Sequence, residues 1–144
     1  MTLLSRLDAL ITAIGADIKS LTNKQAETFL TYSVPGTQVV NTGTLQIPIV
    51  GGTYDIQGVT ARLATAPTGA TTFKVDVNKN GTTIFTTQAN RPIFTASQNK
   101  ADSGSPDVTS VTTGDYLTVD VDAIGSTIAG SDLVVSIRLV RTGS

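Results

Sequence analysis

Histidine, cysteine and tryptophan are absent from this 144-residue chain, and glutamate occurs once, as Glu27. Without cysteine there is no thiol nucleophile, disulfide, zinc knuckle or iron–sulfur ligand. Without histidine the usual general base is missing, together with the commonest transition-metal ligand. Much common catalytic chemistry is thereby excluded, and the chain is expected to be no enzyme and to hold no catalytic residue, cofactor or metal. Charge is also sparse. Ten Lys+Arg against eleven Asp+Glu give a formal net charge of −1 and a pI near 5.1. That balance speaks against a nucleic-acid partner, which requires cations to displace the counterions condensed on phosphate. No segment reaches the ~20 apolar residues of a membrane span. Asp8 interrupts the apolar positions near the N-terminus, and no basic region precedes them, so neither membrane insertion nor a signal peptide is expected.

What is present divides near residue 30, into an oligomerisation and attachment helix over 1–30 and a β-domain over 31–144. In the first segment Leu4, Leu7, Ile11, Ile14, Ile18 and Leu21 are spaced 3, 4, 3, 4, 3. These are a and d positions of three heptads, with Arg6, Asp8, Thr12, Asp17 and Lys19 between them. Thr2 or Ser5 can cap the start, and the stripe fades at Gln25 and Thr28. About 24 helical residues make a rod of roughly 36 Å. Such a stripe needs a partner surface. Either the helix packs on its own domain, as amphipathic helices usually do, or it meets copies of itself. Strict 3-4 spacing favours the second. Ile at both a and d of the middle heptad, widened by Leu10, leans toward three or four strands rather than two. Gly15 weakens the rod by about 1 kcal/mol relative to Ala. Three heptads are short, so the downstream domain is expected to help hold the oligomer.

The second segment reads as β. Most of the 25 threonines fall in it, with many Val and Ile, and β-branched residues suit a pleated, half-buried surface. Strands are predicted at Val39-Val40, Leu45–Ile49, Val59–Ala64, Phe73–Val77, Thr82–Thr86, Tyr116–Asp122 and Leu133–Val140. Asn80-Gly81 between two of them is a hairpin signal, because a type I′ turn wants positive φ at both central positions. Residues 96–105 read as a surface loop without apolar content. Some eight strands without helical pattern predict a mainly β fold, an antiparallel β-sandwich. A doubled Greek key wants about eight strands, while an immunoglobulin-like topology stays open.

Candidate sites are few. Residues 76–81, Asp-Val-Asn-Lys-Asn-Gly, open like a calcium loop, but the twelfth position is Thr87 where that loop needs a bidentate Glu. The alternation favours a hairpin. Asp115, Asp120 and Asp122 cluster, and Asp120 and Asp122 share one strand face. Such a face is expected to be solvated or to meet an arginine on a neighbouring strand, such as Arg138. Asp76 and Asp122 could act as a glycosidase pair only if folding brought them together. The thin aromatic complement is expected in the core rather than on a carbohydrate or nucleic-acid platform.

The run 75–87, Val-Asp-Val-Asn-Lys-Asn-Gly-Thr-Thr-Ile-Phe-Thr-Thr, with 90–94, Asn-Arg-Pro-Ile-Phe, resembles a recurrent β-domain of tailed-bacteriophage virion proteins. Residues 114–122, 124–127 and 130–138 fit the same pattern. Residues 13–21, Ala-Ile-Gly-Ala-Asp-Ile-Lys-Ser-Leu, are similar to coiled-coil leaders of phage tail and head appendages. The resemblance covers most of the chain, least distinctively about 37–66. It implies a trimeric jelly-roll-like domain on a short coiled coil, in the class of fibres, spikes and capsid decoration proteins, and it carries no catalytic residue. With almost nothing before the heptads, attachment is expected to fall to the first ~30 residues or to the base of the domain. A compact homotrimer of this size suits a capsid decoration (cement) protein or short head fibre docked on the major capsid protein, located in the virion and at the capsid surface. The alternative is a tail-fibre or baseplate component that binds a host-surface glycan or receptor.

Overall fold

The computed structural model describes residues 1–24 and 27–143. The expected fading of the stripe at Gln25 lies outside them. Helix α1 spans Leu3–Lys24. Thr2 caps it, its hydroxyl oxygen accepting from the Ser5 amide at 3.2 Å while the Ser5 hydroxyl donates to the Thr2 carbonyl at 2.9 Å. One of the amides that a helix start leaves unpaired is thereby satisfied. No helix among the described residues is long and apolar enough to cross a membrane.

Ten strands follow. They are β1 (Glu27–Thr37), β2 (Ile47–Pro48), β3 (Thr53–Thr65), β4 (Phe73–Lys79), β5 (Thr82–Thr83), β6 (Ile93–Phe94), β7 (Lys100–Asp102), β8 (Ser110–Thr112), β9 (Tyr116–Ala123) and β10 (Ser131–Gly143). They form two five-stranded sheets. One runs in the order β1-β10-β3-β7 with β8 also on β3; the other runs β2-β9-β4-β5 with β6 also on β4. All strand pairs are antiparallel. The chain passes repeatedly from one sheet to the other, so β10 pairs with β1 and β3 rather than with the preceding β9.

Period-2 alternation builds the core. On β10, Leu133, Val135, Ile137 and Leu139 are buried; on β9, Leu117, Val119 and Val121 are; on β3, Val59, Ala61 and Leu63 are, with Ile56 three residues before Val59 across a register shift against β10. Side chains from both sheets belong to one hydrophobic cluster, as a sandwich requires. Phe73 and Phe94 meet edge to face inside it, with ring centroids 5.4 Å apart.

The Asn80-Gly81 turn joins β4 to β5 with φ of 51° and 84°, the type I′ geometry its sequence predicts. Other expectations are corrected. Val39-Val40 is not a strand, and the strand expected at 45–49 shortens to β2. Segment 38–46 instead runs irregularly beside β9, where Asn41 exchanges backbone hydrogen bonds with Val121 at 3.0 Å. The expected apolar-free loop at 96–105 contains β7, whose Ala101 is buried against β3. The expected strand over 82–86 is only two residues long, because Ile84 and Phe85 leave it to enter the core. The first strand starts at Glu27, ahead of the predicted residue 31.

Candidate functional site

Two features carry chemistry beyond the core: the apolar stripe of α1 and a polar network on the outer face of the second sheet. Leu4, Leu7, Ile11, Ile14, Ile18 and Leu21 all lie on α1, and their exposure runs from 48% at Ile14 to 74% at Leu4. Leu3 and Leu10 beside them are exposed as well. The sandwich of the same chain therefore leaves this stripe open to solvent, although residues of the same types fill its own core. An apolar face of this extent marks an interaction surface.

The polar network grows from the register of β4 against β9. Asp76 lies directly opposite Asp120, and Asn78 opposite Thr118. Like charges placed opposite each other repel, and each aspartate is held by other groups. Asp120 accepts from the Asn78 side chain at 2.8 Å and from the Gly43 amide at 2.7 Å. Asp76 accepts from the Val77 amide at 2.7 Å and the Thr83 hydroxyl at 2.8 Å. Burial pushes its pKa up, as does the neighbouring Asp122 charge, against the hydrogen bonds and Arg91. Arg91, just before β6, donates to Asp122 and lies 4.0 Å from the Asp76 carboxylate.

Folding thus brings Asp76 and Asp122 together, with the Arg91 guanidinium bonded to one and facing the other. A glycosidase pair needs the space between its carboxyls for a scissile bond or a water; here an arginine engages both acids. The expected partner Arg138 is elsewhere. It sits on β10 in the other sheet, 3.7 Å from Glu27. Sequence reasoning missed Arg91 because its contact depends on β4 being the neighbour of β9. Among the described residues, no three of His, Cys, Asp and Glu are grouped so that they could hold a metal ion.

Asp115 stands apart from Asp120 and Asp122 and ties two turns together. It accepts from the Thr112 amide at 2.9 Å and the Asn80 side chain at 2.7 Å, and it pairs with Lys79 at 3.0 Å. These contacts, the Thr112 amide foremost, hold its pKa down at about 2. Asn80 in turn accepts from the Tyr116 amide at 3.0 Å. The calcium-like run is thus a hairpin whose polar side chains are committed to neighbouring strands and turns. A groove of about 230 Å³ on the outer face of the first sheet is lined by Phe29, Gly58, Thr60, Ser103, Ser136 and Arg138, among others. It is smaller than the roughly 300–1,000 Å³ of typical small-molecule pockets.

No family model matches the chain, and no curated protein matches it. Among solved structures it is similar to the capsid asymmetric unit of cyanophage Pam1, at 16% identity over 81% of this chain and 84% of that one, with a TM-score of 0.47. It is similar to the capsid of Ralstonia phage GP4, at 16% identity over 82% and 86%, with a TM-score of 0.48. An insecticidal delta-endotoxin of Bacillus thuringiensis is also similar, at 16% identity over 83% of this chain but 18% of that one, with a TM-score of 0.36. None of these three reaches a TM-score of 0.5.

Proposed function

We propose that this chain is a structural protein of a bacteriophage virion, a capsid decoration or head-fibre protein that trimerises through α1, docks on the major capsid shell and displays its sandwich outward. The observation that carries this reading is the exposed stripe Leu4, Leu7, Ile11, Ile14, Ile18 and Leu21 on a helix joined to a sandwich with a core of its own. A domain already folded by its own contacts has no internal use for three heptads of Leu and Ile, whereas a coiled coil does. The isoleucines at a and d favour three strands over two.

Reading the sandwich as a jelly roll is supported by the passage of successive segments between sheets. It is also supported by the two orders, in which the first strand lies beside the last. The virion assignment is supported by the sequence resemblance at 75–94 and 114–138. Docking by the helix and adjacent residues gains strength from many copies, each contact being individually weak. No catalytic step is assigned, and no cofactor.

Electron micrographs of the phage labelled with antibody to this chain test the reading. Label distributed over the head in hundreds of copies per particle is the expected result. Label confined to the tail in a few to a few dozen copies would replace it with a tail-fibre or baseplate role, in which the outer sheet faces meet a host-surface glycan or receptor. Particles free of label would overturn both.

A further inference from the structure

From Thr28 to Tyr54 the chain carries no Asp, Glu, Lys or Arg. At the density of the rest of the sequence, 21 charges in 117 residues, a run of this length carries about five. The run is not hidden. Val39, Val40, Leu45 and Val50 are each more than half exposed. Depletion of charge together with exposed apolar side chains is the composition of an interface core.

The run also occupies one lateral side of the sandwich. β1 is the end strand of the first sheet, and β2 is the end strand of the second. Segment 38–46 joins them directly, held along β9 by Asn41 and by the Gly43 amide on Asp120. An eleven-residue edge strand is a ready template for further association unless charge or cover protects it. The far edge of the first sheet shows the protected form: β7 has three residues and carries Lys100 and Asp102. The β1 side has only Glu27 at its start.

Chain connectivity selects the occupant. Lys24 ends α1 and Glu27 opens β1; three residue steps span at most about 11 Å. Helices gathered along their seam therefore hold the starts of their β1 strands close to a shared axis, and the uncharged side begins there. We infer that the side formed by β1 and residues 38–50 is covered by a neighbouring copy of this chain, which extends the helical seam into the sandwich. The inference rests on the self-association of α1 proposed above, and it identifies where the additional area comes from that three heptads alone lack.

The absence of cysteine makes single-cysteine labelling of the full chain a clean test. Variants Val40→Cys, Ile14→Cys and Arg62→Cys are made, the last on the exposed outer face of β3, and reacted with a bulky maleimide. Val40→Cys and Ile14→Cys are expected to react at least ten-fold more slowly than Arg62→Cys at high protein concentration. Val40→Cys is expected to become as fast as Arg62→Cys when Ile11→Asp is added to separate the copies. Fast Val40→Cys with slow Ile14→Cys would overturn this inference and leave the helical seam standing. Slow Val40→Cys with fast Ile14→Cys would uphold the side as an interface and remove the helix from it. Protection of Val40→Cys that appears only on adding capsid particles would overturn the second copy and assign the side to the shell.

Discussion

The helix and the sandwich use the same apolar residue types to opposite ends. On β10, Leu133, Val135, Ile137 and Leu139 are at most 1% exposed, whereas Ile14 is the least exposed of the six stripe residues at 48%. The sandwich side chains repeat every two residues and meet the facing sheet of the same chain. Those of α1 repeat every three and four, and they remain between 48% and 74% exposed. The period of a pattern thus sets the element, and the presence or absence of a facing layer decides whether the element completes the fold or seeks a partner. Within one sequence, the sandwich closes on its own core while the helix keeps its Leu and Ile side chains exposed.

Substitutions that act on one region and spare the other sharpen this comparison. Phe73→Ala, at a fully buried ring packed edge to face on Phe94, is expected to destabilise the sandwich by about 3–5 kcal/mol. Thermal unfolding followed in the β signal would show it, with the helical signal changed only as the sandwich melts. Gly43→Ala is next in size. A Cβ there falls 2.1 Å from the Val119 carbonyl oxygen, so segment 38–46 must lift off β9, at a cost of about 1–3 kcal/mol. Gly15→Ala has the opposite sign, because a Cβ on that helical glycine meets nothing within 4 Å. It is expected to stabilise α1 by about 1 kcal/mol. That gain should lower the dissociation midpoint of the oligomer and leave the sandwich melting temperature of separated chains unchanged.

The smallest expected effect is a pH dependence confined to the sandwich. Asp115 has a folded pKa of about 2 against a reference of 3.8. A carboxylate with a depressed folded pKa stabilises above its unfolded value and loses that contribution as pH falls toward the folded one. Sandwich stability should therefore fall between about pH 4 and about pH 2, and Asp115→Asn should flatten that fall in acid unfolding curves. Asp76, whose folded pKa is raised by burial, works the other way. The cost of its charge is felt above its folded pKa and relieved as pH drops.

Regions governed by a strong period were legible in the sequence. The helix, the β4–β5 turn and strands β9 and β10 follow from spacing and from Asn80-Gly81. β7 was not legible, because three residues, Lys100, Ala101 and Asp102, show no period, and only pairing with β3 makes them a strand. Val39-Val40 misled for the converse reason: β-branched residues suggest a strand, yet the chain there crosses between sheets with both side chains outward. The polar network needed strand order. Taking the last strand as the neighbour of β9 suggested Arg138 for that acidic face, but β10 belongs to the other sheet, and Arg91 reaches Asp122 through β4 and β6.

The separation of tasks between helix and sandwich is tested most directly by the mass of the full chain in solution, measured by light scattering at micromolar concentration beside the Ile11→Asp, Ile14→Asp double variant. The expected masses are three times 14.9 kDa for the natural sequence and 14.9 kDa for the variant, with the same β signal in both. A natural chain of monomer mass, or a variant that stays trimeric, would contradict the assignment of self-association to α1.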